Sequence, residues 1–312
     1  MNGTEIIALL SSGVECMKSA VGPVVGALIT AIFLRHNTKT DEFEKIKAGK
    51  FEEAAELLLS SGKMTYTEFY KAKNFLTIAK KADKYYQDNF QKKVVNNEKY
   101  DFDWFVRFYE AVGCVSDDTM QDLWAKILAG EIAQSSTFSI KAIDTLKNLN
   151  KKDIELFIRI CSYSFNSDSQ KRFLPNIDKY LNDVGIVYED ILELSELGLI
   201  LDNAFLVSEI DIEKKPKIFV RGNKLVMTIC SSSGNPMKAS IDEFPFTKVG
   251  NELSLLTNVD PSLKEYVNYG KLLSDNKSYK ISLHNVIEND NNGFCYSNDD
   301  LLIDIKLQNQ DC

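Results

Sequence analysis

The longest uncharged stretch of the chain lies near its N-terminus, where sixteen residues from Ser19 to Leu34 carry no charged side chain. As an α-helix this stretch is about 24 Å long, against about 30 Å of bilayer hydrocarbon. A helix extended back to Ile6 reaches about 43 Å and crosses with a tilt, although it carries Glu15 and Lys18 into the membrane. The pattern predicts either a membrane helix or a buried oligomerisation helix in a water-soluble protein.

Small residues repeat along this segment at steps of four. Gly22, Gly26 and Thr30 form one such row, and rows of this kind let helices approach closely where lipid removes the hydrophobic driving force. The row therefore predicts self-association through this helix. If the helix lines a pore, Thr30 and Glu15 are expected in its lumen, because a hydroxyl and a carboxylate replace part of an ion's hydration shell.

The charges that flank the segment bear on its orientation. A cleaved signal peptide fits poorly, because Glu5 precedes the apolar region while Arg35 and Lys39 follow it. By the positive-inside tendency, these two basic residues place the large following part of the chain in the cytoplasm.

Helical periodicity dominates residues 40–166, where Thr65 and Glu68 also form a capping-box pattern. The predicted helices occupy residues 41–60, 66–93, 101–112, 116–132, 140–149 and 151–165. The helix over 66–93 mixes lysines with Tyr85 and Tyr86, a pattern that suits phosphate and base contacts and is also typical of a solvated amphipathic helix.

Residues 167–258 combine helical patterns with a candidate β-hairpin. A helix over 188–200 runs into a strand, and two β-rich runs follow around the segment Arg221-Gly222-Asn223-Lys224. A strand leading into a helix then returns over 244–256. This order predicts a winged-helix-like domain in which Arg221 and Lys224 lie at the wing tip as phosphate contacts.

The last segment predicts a small α+β appendage, with an amphipathic helix over 262–273 and two strands separated by a turn-rich ENDNNG sequence. The expected fold class is mainly α with a smaller α+β part. It comprises an N-terminal apolar helix, membrane-inserted or oligomerising, at 1–39, a helical domain at 40–166, the winged-helix-like domain at 167–258 and the C-terminal appendage at 259–312.

Composition narrows the function classes. A chain of 312 residues with 44% hydrophobic content is large enough to build real cores. The formal charge of -8 argues against nonspecific coating of nucleic acid, although a local basic groove in an oligomer stays compatible with it. Six scattered cysteines without C-x-x-C, together with two histidines, predict neither a zinc site nor a disulfide framework, so a reducing cytoplasm is the simplest setting.

Catalytic motifs are scarce in the sequence. It contains no G-x-G-x-x-G, Walker, H-E-x-x-H or G-x-S-x-G motif. One weak nuclease-like pattern has Asp202 upstream of Glu213 and Lys215, where acidic groups would hold a magnesium ion and the lysine would orient water. We expect no enzyme activity, no cofactor and no metal site, with a metal-dependent nuclease as the weakest alternative.

Two stretches of the helical region, VSDDTMQDLWAKILAGEI and FSIKAIDTLKNLNKKDIELF, resemble the core signature of a bacterial family of unknown function. That family is associated with phage defence and abortive infection. The resemblance covers about residues 95–258 and depends on hydrophobic and turn positions, so it implies kinship of fold. The chain also resembles the membrane channel effector of the Hailong system, a tetramer that is held closed by a DNA oligomer.

These resemblances imply a non-enzymatic, oligomeric membrane effector that acts as a ligand-gated pore in anti-phage defence. Its implied partners are further copies of itself, as in the tetrameric Hailong effector, the lipid bilayer, and a single-stranded DNA oligomer or nucleotide made by a partner enzyme. The basic residues expected to hold this ligand are Lys147, Lys151, Lys152, Arg221 and Lys224.

The implied location is the bacterial inner membrane, with the bulk of the chain in the cytoplasm. The alternative is a cytoplasmic, winged-helix-containing oligomeric scaffold or regulator, in which Ser19–Leu34 is a buried helix.

Overall fold

The computed structural model describes residues 60, 65–90, 101–167, 171–202, 207–211, 217–231, 238–274, 279–290 and 293–304. It is helical with a smaller antiparallel sheet, which confirms the coarse fold class. The chain divides into two compact units, Met1–Asn148 and Leu149–Cys312.

The described part of the first unit is a set of helices: α1 (Tyr66–Phe90), α2 (Phe102–Val112), α3 (Asp118–Ala133) and α4 (Ile140–Asn148). The predicted capping box starts α1, where the Glu68 amide donates to Thr65 Oγ1 at 3.2 Å and the Thr65 amide donates to Glu68 Oε2 at 2.8 Å. Asp101 and Asp117 cap α2 and α3 in the same way, by accepting hydrogen bonds from first-turn amides.

Aromatic side chains fill the core of this unit. The rings of Trp104 and Phe108 stack with centroids 5.2 Å apart, and Phe108 meets Trp124 edge-on at 5.6 Å. Leu123, Trp124, Ile127 and Leu128, which the helical spacing assigns to a core, are all buried. Ring pairs of this kind stabilise a protein by more than the burial of their apolar area alone provides.

The second unit combines helices with the sheet. Its helices are α5 (Lys151–Ser162), α6 (Asp178–Val184), α7 (Tyr188–Glu196), α8 (Lys248–Ser254) and α9 (Leu263–Ser274). Its strands are β1 (Phe165–Asn166), β2 (Arg172–Pro175), β3 (Val207–Asp211), β4 (Ile218–Arg221), β5 (Leu225–Ser231), β6 (Lys238–Pro245), β7 (Tyr279–Asp290) and β8 (Gly293–Asp304). Adjacent strands pair antiparallel in the order β3-β6-β2-β1-β4-β5-β7-β8.

Helix α5 is shorter than the sequence predicts. It ends at Ser162, and Phe165 belongs to β1, where it pairs with Phe173. The Phe165 ring packs 4.9 Å from Tyr266 and 5.0 Å from Tyr269, centroid to centroid. This aromatic contact buries Phe165 completely and accounts for the change from helix to strand.

The predicted β-hairpin is present, but it lies inside the sheet. Strands β4 and β5 pair as expected, and each has a second neighbour, β1 for β4 and β7 for β5. In the wing expected within 167–258, the hairpin would project from the domain. Here both strands of the hairpin bury apolar side chains, and each forms hydrogen bonds with a further strand of the sheet. Strands before and after residue 258 share this sheet, whereas the sequence-based boundaries were 166/167 and 258/259.

Helix α8 packs directly on a tight turn. Gly198 has φ 72°, a left-handed conformation that glycine adopts without strain. Thr247 Oγ1 donates to the Gly198 carbonyl at 2.6 Å, and the Thr247 amide donates to the Leu199 carbonyl at 3.0 Å. A Cβ at Gly250 would lie 1.9 Å from that Leu199 oxygen, so only glycine fits there.

Candidate ligand-binding surface

Three of the five predicted ligand-binding residues are exposed lysines near helix ends. Lys147 is exposed in the last turn of α4 in the first unit, and Lys151 and Lys152 are exposed in the first turn of α5 in the second. Each ammonium group is accessible to an anion from solvent.

The start of α5 is held rigidly by its own cap. Asn150 Oδ1 accepts from the amides of Lys152 at 2.8 Å and Asp153 at 3.2 Å, and the Asp153 carboxylate accepts from the Asn150 amide at 2.8 Å. Lys151 and Lys152 thus project from the positive end of the helix dipole, where cations are disfavoured. An anionic ligand would relieve that repulsion.

The hairpin tip differs from the prediction in one residue. The Gly222 amide donates to the Leu225 carbonyl at 2.9 Å, so Asn223 and Lys224 form the tip and both are exposed. Arg221 is only 5% exposed, because its strand lies between β1 and β5. The structure thus places Arg221 in a buried position and Lys224 at the exposed tip, and their contacts with a ligand stay predictions.

Acidic side chains lie beside the hairpin tip and on helix α7. Asp260 Oδ2 accepts from the Asn223 amide at 2.9 Å, which places a carboxylate at the tip. Helix α7 exposes Glu189, Glu193 and Glu196 and contains no basic residue. This helix would repel phosphates, so it does not suit the role of a nucleic-acid recognition helix.

Several buried polar groups of the second unit are used for structure. The Arg172 guanidinium donates to Ser164 Oγ at 2.6 Å and to the carbonyls of Cys161 at 2.7 Å and Val259 at 3.0 Å. Burial raises the pKa of the nearby Cys161 thiol to about 12, which keeps it protonated and poorly nucleophilic. The tyrosines around Phe165 are equally inert, since burial raises the pKa of Tyr180, Tyr266 and Tyr269.

A buried carboxylate organises the loop after α3. Glu131 is 4% exposed and accepts from the backbone amides of Ser136 at 2.7 Å and Phe138 at 3.2 Å. Burial raises the pKa of Glu131, the amide donors oppose this rise, and the charge of Asp101 adds to it. Trp104 Nε1 donates to the Phe138 carbonyl at 2.7 Å, so the same loop is held from two sides.

A model of the family described as "Protein of unknown function (DUF2806)" matches residues 61–271, about two thirds of the chain. The chain belongs to the DUF2806 family. No curated protein and no solved structure matches it. The matched range of this DUF2806 chain includes all five predicted ligand-binding residues and leaves out the apolar N-terminal segment.

The remaining predicted site residues of this DUF2806 chain lie outside the described residues. These are Glu15, Gly22, Gly26 and Thr30 of the apolar segment, together with Glu213 and Lys215 of the nuclease-like pattern. No helix in the described ranges is long and apolar enough to cross a bilayer. Within the same ranges, no three His, Cys, Asp or Glu side chains are grouped to hold a metal ion.

One surface of this DUF2806 chain was missed in the sequence. Tyr86 is buried, and Tyr85 lies beside α3 with Lys126 Nζ 6.0 Å from its ring centroid, so the paired tyrosines do not form an exposed stacking surface. The exposed rings of α1 are Tyr66 and Tyr70. The four-residue spacing of Tyr66 and Tyr70, continued by lysines further along α1, is the sequence pattern that indicates this exposed face.

Proposed function

We propose that this DUF2806 chain is a non-enzymatic, oligomeric membrane effector of bacterial anti-phage defence, a ligand-gated pore with a cytoplasmic sensing body. The observation that carries the proposal is the uncharged run Ser19–Leu34, which is followed directly by the basic residues Arg35 and Lys39. A run of this length inserts as part of a longer helix, and its basic flank favours the cytoplasmic side of the inner membrane.

Assembly of several copies provides the pore in this proposal. The row of Gly22, Gly26 and Thr30 supports close helix packing between copies. The resemblance to the tetrameric channel effector of the Hailong system supports gating by a single-stranded DNA oligomer or a nucleotide. Such a ligand is anionic, and the exposed positions of Lys147, Lys151, Lys152 and Lys224 support phosphate contacts.

The self-association step is tested by measuring the native mass of the detergent-purified full chain. We expect an oligomer for the parent protein and dissociation for Gly26→Leu, because a leucine side chain keeps the helix backbones apart. The matched control is Val24→Leu, which adds bulk outside the row. A Gly26→Leu protein that keeps the parent mass would refute packing through this row.

The pore is tested by conductance of the reconstituted chain in planar bilayers. If Glu15 faces the lumen, Glu15→Gln removes a negative charge from the conduction path and lowers the preference for cations. An unchanged reversal potential in a salt gradient would place Glu15 outside that path.

A second candidate function is a water-soluble oligomeric scaffold or regulator. The observation that favours it is that the described residues bury many apolar side chains within the protein itself. Recovery of the intact chain in the soluble fraction without detergent would support the scaffold and contradict the pore.

A further inference from the structure

Helix α1 presents one exposed row of tyrosines and lysines. At 100° per residue, Tyr66, Tyr70, Lys73, Lys80 and Lys84 lie within about 40° of a common direction, over about 27 Å of helix. All five residues are exposed, with Tyr66 at 73% and Tyr70 at 42%. We call this row the tyrosine–lysine stripe.

The opposite side of α1 is used by the fold. Phe75, Ile78 and Ala82 are buried in the core of the first unit. Lys81, between the two sides, donates to Asp118 Oδ1 at 2.5 Å and Asp122 Oδ1 at 2.7 Å, so its charge is neutralised by α3. Lys81 is therefore not counted as part of the stripe.

The helix that carries the stripe is basic, whereas residues 101–148 of the same unit are acidic. Helix α1 carries five lysines and three acids, a net charge of +2, whereas residues 101–148 carry four basic and eight acidic residues, a net charge of -4. Among the acids of α1, Asp88 continues the stripe at its C-terminal end, and Glu68 is bonded to Thr65 in the capping box. Within these two ranges, basic residues are thus concentrated on α1.

We propose that the tyrosine–lysine stripe lies against anionic phospholipid headgroups of the inner membrane. The inference deepens the proposed function, on which it rests, by naming the surface of the body that meets the bilayer. Exposed tyrosine rings suit the boundary between headgroups and acyl chains, and lysines alongside them pair with lipid phosphates.

Arrangement and charge favour a bilayer over a nucleic acid strand. The stripe is a row of exposed side chains on a single helix, whereas single-strand binding proteins hold the backbone in a positively charged groove. The chain as a whole has a charge of -8 and is repelled by an anionic leaflet unless a basic face turns toward it. The stripe provides such a face.

Lysine footprinting of the reconstituted full chain tests the inference. The chain is placed in phosphatidylcholine vesicles, with or without one quarter phosphatidylglycerol, and acetylation rates are measured by peptide mass spectrometry. We expect Lys73 and Lys84 to react about fivefold more slowly in the anionic vesicles, the factor expected for one lysine near a charged surface. The exposed residues Lys179 and Lys264 are the controls, and their rates should not change.

High salt provides the second arm, since 1 M NaCl screens charges beyond about 3 Å and should restore the rates at Lys73 and Lys84. Equal rates in the two kinds of vesicle would overturn the inference. So would protection by an added oligothymidylate without protection by anionic lipid, which would make the stripe a nucleic-acid surface.

Charge reversal separates this inference from the proposed function. The Lys73→Glu, Lys84→Glu double variant should lose the lipid-dependent protection of Lys80, and the control variant Lys179→Glu, Lys264→Glu should keep it. A chain that resists carbonate extraction yet shows no protection would leave the pore proposal standing and overturn the stripe. A chain that binds anionic vesicles through the stripe only at low salt would support the stripe and contradict the pore.

Discussion

Replacing Gly250 by alanine tests the packing of α8 on the Gly198–Leu199 turn. In an exposed helix interior this change stabilises a protein by about 1 kcal/mol, because alanine has the higher helix propensity. Here the added Cβ would lie 1.9 Å from the Leu199 carbonyl oxygen. An ordinary carbon–oxygen contact is about 3.3 Å, so the turn or the helix must move by more than about 1 Å.

The displaced atoms belong to a hydrogen-bonded turn. The Leu199 carbonyl accepts from the Thr247 amide at 3.0 Å, and the Gly250 amide donates to Thr247 Oγ1 at 3.0 Å. Overpacking of this kind costs about 1–3 kcal/mol, and weakening these bonds adds to it. We therefore expect Gly250→Ala to lower the free energy of unfolding of the second unit by about 2 kcal/mol net of the propensity gain.

Urea unfolding of the full chain, followed by hydrogen exchange of α8 and β6 peptides, measures this change. The midpoint should fall by about 1 M if the denaturant slope is about 2 kcal/mol/M. The matched control is Gly185→Ala: Gly185 has φ 69° and no atom within 4 Å of an added Cβ, so only backbone strain of about 1 kcal/mol is expected. A Gly250→Ala protein as stable as the parent would refute the steric argument.

Three further predictions concern buried and exposed charges. The fold raises the pKa of Glu131 above its ordinary value of 4.5, so its stabilising contribution is present below that pH and is lost as the pH rises through the folded pKa. Glu131→Gln should therefore gain stability relative to the parent as the pH rises from about 4, in denaturation curves with the exposed-site variant Glu110→Gln as control, and a pH-independent difference would contradict it. Arg172→Met removes the guanidinium bonds to Ser164 Oγ and to the carbonyls of Cys161 and Val259. It should lower the free energy of unfolding by about 2–4 kcal/mol, with Arg172→Lys intermediate, and equal stability would show these bonds to be dispensable. Lys151→Glu with Lys152→Glu should weaken oligothymidylate binding in fluorescence anisotropy and reduce its salt dependence, and unchanged binding would remove this surface as the ligand site.

Local patterns predicted the elements of the fold well. The Thr65–Glu68 capping box and the hairpin around Gly222 both follow from interactions within a few residues, which the sequence displays directly. The apolar spacing of α5 continues to Phe165 and predicts a helix there. The strand conformation of Phe165 depends on contacts with Tyr266 and Tyr269, a hundred residues further on.

Long-range pairing also decided the outcome for the candidate site. Arg221 precedes a turn, which predicts exposure, yet its strand is covered because β1 pairs with β4 across fifty-odd residues. The exposed row of α1 depends on which face of that helix meets the core. The helical period places Tyr66, Tyr70 and Lys73 on one face, away from the buried apolar residues.

Alkaline carbonate extraction of membranes from cells that express the full chain tests the central claim most directly. If Ser19–Leu34 inserts into lipid, the chain stays in the membrane pellet at high pH, as integral proteins do. Complete release into the carbonate supernatant would contradict the pore and leave a peripheral or water-soluble protein in its place.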